Sequence, residues 1–195
     1  VILDNILLVD GGRLLEDEIV EILKSGPYPS RNTDQNMADL KAQIAACEKG
    51  IQELRKMVDH FSLDVVHAYM GHVQDNAEES VRRVLDVLKD GSFEYPMDDG
   101  SLIKVTISID KATRGAKVDF TGTSAQRPTN FNAPSAVCRA AVLYVFRTLV
   151  DDDIPMNEGC LKPLDIVIPE GSMLNPVYPA AVVAGNVETS QCITD

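Results

Sequence analysis

Eight apolar residues, Met37, Leu40, Ile44, Cys47, Ile51, Leu54, Val58 and Phe61, recur at steps of 3, 4, 3, 4, 3, 4 and 3. That unbroken a/d stripe predicts a long helix. A break at Asp59 to Ser62 separates it from a second stripe through Val66, Met70, Val73, Ala77, Val81, Val84 and Leu88, with Gly91 placed to end the segment. Two long helices joined by a few residues predict an antiparallel helical hairpin over residues 28–91, each stripe burying the other; the same stripe also suits an oligomer seam.

Ahead of the hairpin, residues 5–10 form a short apolar run closed by Gly11-Gly12. Leu14, Ile19, Ile22 and Leu23 then put an apolar face on a short acidic helix that ends at Gly26-Pro27. Beyond residue 91 the period changes. Ile103, Val105, Ile107 and Ile109 alternate with polar residues, and Ala116, Val118 and Phe120 do so after a turn at 110–115, which predicts a β-hairpin. Asn132-Ala133-Pro134 opens a third helix with the face Val137, Ala140, Ala141, Tyr144, Val145, Thr148 and Leu149. A last strand runs through Leu164, Ile166 and Ile168. Helices followed by strands and then a mixture predict an α+β fold, not a βαβ repeat, with an α+β portion over residues 92–195.

The chain has 195 residues with 45% apolar content, enough for one ordinary core. Thirty acids against 18 bases give a formal charge of −12, which disfavours nucleic acid and anionic membranes as partners. No apolar run approaches the roughly 20 residues of a membrane span. Val1 to Leu8 carries Asp4 and Asn5 without a basic leader, unlike a signal peptide. Cys47, Cys138, Cys160 and Cys192 are scattered without paired spacing, so free thiols in a reducing cytoplasm are expected. The opening Val1-Ile2-Leu3 and a helix start at Gly185-Asn186 with no stop before Asp195 predict a stretch of a longer polypeptide.

His60, His67 and His72 lack the spacing that would bring three metal ligands together, and Asp151-Asp152-Asp153 lacks the pattern of a calcium loop, so no metal site is expected. GxSxG, HExxH and P-loop patterns are absent. The polar loops stand out instead: Thr121-Gly122-Thr123-Ser124, Asn130 and Asn132 around Phe131, Asn157-Glu158-Gly159, and Gly185-Asn186 with Asn186 as a helix cap near Thr189 and Ser190. Such residues either orient N–H donors at an anion or simply cap and turn the chain, and spacing alone leaves both readings open.

Pro29-Ser30-Arg31-Asn32, Asn36 and Asp39 to Ala46 resemble the central helix signature of the hydantoinase B family. The resemblance continues through Val118 to Thr123, Asn132-Ala133-Pro134, Ile154 to Cys160 and Gly185 to Gln191. It spans almost the whole chain in order. Leu63 to Gln74, Met97 to Ser101 and Ala181-Val182-Val183 are most similar to the 5-oxoprolinase branch.

The resemblance implies ATP-dependent opening of the 5-oxo-L-proline lactam to L-glutamate. Hydantoin-hydrolysing, N-methylhydantoinase and ketone carboxylase relatives are the alternatives, and a non-catalytic helical pairing module is the reading from another class. It implies ATP with Mg2+ on a hydantoinase A-like domain or subunit outside this chain, which itself has no nucleotide-binding domain. It also implies an oligomer, and the central part of one hydantoinase B-like domain that is inactive alone. By carry-over, Arg31, Asn36, Asp39 and Gln43 lie near the substrate and Thr123, Asn130, Asn132, Asn157, Asn186 and Thr189 line its loops. No catalytic base is assigned.

Overall fold

The computed structural model describes residues 5–195. Contacts divide the chain into two compact units, Val1–Val66 and His67–Asp195. The α+β class follows from the elements found in them.

In the first unit, β1 (Val9–Asp10) and β2 (Arg13–Leu14) pair antiparallel, Val9 opposite Leu14. Gly11 and Gly12 turn the chain between them, both at positive φ (53° and 86°), as a two-residue hairpin turn of this hand requires. The apolar run expected over 5–10 is thus a strand only at its last two residues. Helix α1 (Glu16–Lys24) starts with Glu16, Asp17 and Glu18 and ends with Lys24, both ends suited to its dipole. Helix α2 (Thr33–Phe61) is capped by Asn32, whose Oδ1 accepts from Gln35 N–H at 3.2 Å. Ile19, Leu23 and Met37 form this unit's core, with Leu8, Leu14, Val20 and Leu40 packed around it.

Helix α3 (Leu63–Val87) begins after the single residue Ser62, whose φ of 75° ends α2. Both long helices are therefore present, but the stripes are buried unevenly. On α2, Met37 is buried and Leu40 half-buried, while Cys47, Ile51, Leu54 and Phe61 are exposed. On α3, Met70 and Val73 are exposed, whereas Ala77, Val81 and Leu85 are fully buried. A heptad pattern fixes which residues share a face; tertiary packing decides which part of the face is covered.

The second unit holds a four-stranded sheet of order β3-β4-β5-β6, from β3 (Gly91–Pro96), β4 (Leu102–Asp110), β5 (Gly115–Asp119) and β6 (Leu164–Val167). The first three strands form an antiparallel meander, and β6 joins β5 in parallel, Val118 opposite Ile166. Strand β3 is an addition to the expected set; Gly91, read as a helix stop, opens it. The parallel pair is connected through α4 (Ser135–Thr148), so one crossover unit does occur inside the α+β fold.

The core gathers Ala77, Val81 and Leu85 of α3, Ile103, Ala116, Val118 and Phe120 from the sheet side, and Cys138, Val142 and Phe146 of α4. The buried face of α4 is Cys138, Ala141, Val142 and Phe146, not the expected one: Tyr144 and Leu149 are exposed. Apolar residues surround this helix on nearly every side, so its own pattern does not choose a face. Arg147 belongs to the wall instead, donating to the Ile154 carbonyl from Nε at 2.8 Å and from a terminal nitrogen at 2.5 Å.

Candidate active site

Most of the polar loops flagged in the sequence meet in the second unit, where backbone bonds zip three segments together. Ala133 N–H donates to Met173 O at 2.7 Å, Met173 N–H to Ser124 O at 2.9 Å, and Ala184 N–H to Asn130 O at 3.0 Å. Asn132 is fully buried at their centre. Its Oδ1 accepts from Arg127 N–H at 2.7 Å, and its Nδ2 donates towards the carbonyls of Arg127 (2.9 Å), Thr129 (3.0 Å) and Ala181 (2.9 Å). Thr189, also fully buried, donates from Oγ1 to Phe131 O at 2.5 Å. Gly185 permits the approach: a Cβ there would collide with Asn132 O and sit 2.7 Å from Ala133 Cα. Asn132 and Thr189 thus hold the loops in place and do not face a ligand.

Over this scaffold opens a cavity of about 420 Å³, lined by Tyr95, Asp98, Asp99, Asn130, Glu188 and Cys192 among others. Of the ten expected site residues, Asn130 alone contributes to this wall. The Ser101 side chain and its N–H, which donates to Asp99 Oδ1 at 2.8 Å, hold the Asp99 carboxyl below the usual carboxylate range, with Arg127 adding its charge. Arg127 Nε lies 3.8 Å from Asp99 Oδ2. Asp99 Oδ2, Ser101 Oγ and Arg127 Nε are all buried, and none completes a well-formed hydrogen bond within the chain. The Tyr95 phenol is pushed above its usual value, first by Cys192 beside it, then by burial and the negative charges of Asp195 and Asp98. The cavity therefore offers carboxylates, a phenol and an amide at one opening.

The other expected residues serve elsewhere. Thr123 bridges the β4 backbone, accepting Lys104 N–H and donating to Lys104 O, both at 3.1 Å. Asn157 caps a 3-10 turn, Glu158–Leu161, by accepting Gly159 N–H at 2.8 Å. Asn186 is not a helix cap: it lies inside a π turn, Gly185–Thr189, that starts after Ala184 and leads into α5 (Ser190–Thr194). It borders a separate groove of about 260 Å³ with Val137, Ala140 and Gln191. In the first unit Arg31, Asp39 and Gln43 are exposed, Asp39 accepts from Gln35 Nε2 at 2.8 Å, and Asn36 accepts from the Ser30 hydroxyl.

A larger depression of about 510 Å³ has Arg82, Lys117 and Lys162 on its wall. Each of these cations is already paired: Arg82 with Glu78 at 2.6 Å, Lys117 with Asp119 at 2.7 Å, and Lys162 with Asp75 at 3.0 Å. Among the described residues, no three or more of His, Cys, Asp and Glu converge as a metal site, and no helix is long and apolar enough to cross a membrane. Asp98, Asp99, Glu188 and Cys192 were not singled out by the sequence. Asp98-Asp99-Gly100 between two strands reads as a turn, and Glu188 meets it only through the fold.

The fold and this loop cluster define a hydantoinase B-type chain, and the chain belongs to the hydantoinase B/oxoprolinase family, which it matches over residues 1–195. It is 41% identical to the 5-oxoprolinase of Dictyostelium discoideum over 98% of its own length, and 43% identical to 5-oxoprolinase 1 of Arabidopsis thaliana over 96%. It spans only 16% and 17% of the length of those relatives. The crystal structure of an ATP-dependent caprolactamase from Pseudomonas jessenii has the same fold at a TM-score of 0.74 and 23% identity, covering 96% of this chain and 33% of that one.

Proposed function

We propose that the chain is the central stretch of the hydantoinase B-type part of an ATP-dependent 5-oxoprolinase, which opens the 5-oxo-L-proline lactam to L-glutamate. The observation that carries this reading is the 41% and 43% identity to two 5-oxoprolinases over nearly all of the chain. A lactam is held by amide resonance and its nitrogen leaves poorly, so coupling to ATP is chemically apt. The described residues present no cluster suited to a metal ion, so no step here runs through Mg2+. ATP with Mg2+ belongs, in this proposal, to a hydantoinase A-like domain or subunit outside the chain. The free thiols of Cys47, Cys138, Cys160 and Cys192 favour a reducing, cytoplasmic setting.

The cavity beside Asn130 is the proposed ring site. Ring opening turns an uncharged amide nitrogen into an amine that is protonated in water. Asp98 and Glu188 suit that developing positive charge, and the Asn130 amide supplies a neutral donor and acceptor for the ring. The test is the complete parent enzyme with 5-oxo-L-proline, following ADP and glutamate together. Equal release of both is expected, with Asn130→Ala lowering kcat at least about tenfold. Turnover only with a hydantoin or a ketone would move the protein to a sister branch. Full activity in Asn130→Ala would remove the cavity from the reaction, and no turnover with any of these substrates would favour a non-catalytic pairing module.

A further inference from the structure

Helix α2 leaves its own core early. Past Met37 and Leu40 its stripe opens to solvent, with Ile51 43%, Leu54 45% and Phe61 54% exposed, and Met57 beside them 47% exposed. One exposed leucine is ordinary. A row in heptad register along the roughly 27 Å from Ile44 to Phe61 is a contact surface.

We propose that this face of α2 pairs antiparallel with α2 of a second copy of the chain. In one register the stripe closes on itself, a against d: Ile44 meets Phe61, Cys47 meets Val58 and Ile51 meets Leu54 of the second copy. Two further features select that register. The flanking residues Glu48 and Arg55 form no ion pair within the chain, Glu48 accepting only from Gln52 Nε2, while Lys49, Glu53 and Lys56 pair with one another. Antiparallel pairing sets Glu48 of each copy against Arg55 of the other, twice; parallel pairing sets Arg55 against Gly50 and leaves Glu48 facing Gln43.

On the opposite flank stand Gly50 and Met57. A glycine inside a helix costs about 1 kcal/mol relative to alanine. A Cβ at Gly50 would meet nothing within 4 Å, so nothing in the chain itself requires it. In the paired register Gly50 faces Met57 of the second copy, small against large. This inference stands apart from the lactam reading, since its test involves no substrate.

The test uses the 195-residue chain in a Cys192→Ser background. Sedimentation at about 100 μM should give twice the 21.3 kDa chain mass. Glu48→Arg and Arg55→Glu should each weaken pairing about tenfold, and the double swap should restore it to within about threefold of the parent. Oxygen with copper–phenanthroline should then oxidise two thiols to one disulfide, with loss of two electrons and two protons. In Val58→Cys it should link the introduced thiol to Cys47 of the second copy, and adding Cys47→Ser should abolish the link. Self-linking of Cys47 in the chain that retains Val58 would establish a parallel pair and overturn the proposal. A monomer with unchanged helicity would assign the face to another segment or partner, and a dimer indifferent to the charge swaps would place the contact elsewhere; either overturns it.

Discussion

Replacing Asn132 by alanine takes four hydrogen bonds out of the loop scaffold beneath the cavity. The side chain is fully buried, so water does not replace what is lost. Its partners are all backbone: one N–H at 2.7 Å and three carbonyls at 2.9–3.0 Å. At about 1 kcal/mol net per bond, with Arg127 N–H left unpaired, Asn132→Ala should cost about 3–5 kcal/mol. That is a large part of the stability of an ordinary domain. Urea unfolding followed by circular dichroism would read the loss. Hydrogen exchange at the Ala133 and Ala184 amides, which bond to Met173 O and Asn130 O, would locate it.

Asn132→Asp sharpens the test. It keeps the acceptor for Arg127 N–H but aims a carboxylate oxygen at the three carbonyls, so the introduced carboxyl has a folded-state pKa above its unfolded value. The variant should hold up best below about pH 4, where the group is protonated in both states, and weaken as pH rises through the raised pKa. A loss under about 1 kcal/mol in Asn132→Ala, or an aspartate variant that tracks the alanine variant at every pH, would refute the scaffold role.

Two further outcomes follow from single residues. A Cβ at Gly159 would collide with Gln74 O, so Gly159→Ala should push the 3-10 turn off α3 at a cost of about 1–3 kcal/mol, seen as a Tm lower by several degrees. Asp119 accepts from Lys117 Nζ at 2.7 Å and from Thr121 N–H at 2.8 Å; the lysine and the Thr121 contacts hold its carboxyl at about 2. Because that folded value is depressed, its contribution, on the order of 1–2 kcal/mol, is present above the unfolded pKa near 4 and lost as pH falls towards 2. Asp119→Asn should flatten acid unfolding across that window.

The elements most legible in the sequence were those whose period leaves one answer. The α2 stripe and its Asn32 cap mark one helix, and the alternation of Ile103 to Ile109 marks one strand with a buried face. Where apolar residues surround the element, as on α4, the pattern admits several faces and the sheet beneath chooses Cys138, Val142 and Phe146. Strand β3 carries Phe93 exposed and Tyr95 half-buried, so it lacks the alternation that reveals β4. The candidate site divides the same way. Asparagines and threonines in loops were visible as special, but an amide that holds a loop and an amide that faces a ligand have the same letter. Only the fold separates Asn132 from Asn130, and only the fold brings Asp98 and Asp99 to Glu188.

The parallel seam between β5 and β6 sets an order on folding. The meander of β3, β4 and β5 closes over short turns and can form as soon as Asp119 is synthesised. Strand β6 must wait until the chain has gone out through α4 and back through the 3-10 turn, a much longer loop to close. During that interval the backbone edge of β5 is unpaired and the apolar side chains of Ala116 and Val118 lack their cover. The nascent protein is therefore most exposed to intermolecular strand pairing after residue 119 emerges and before residue 167 does, and a chaperone that shields this one edge would protect most of the sheet.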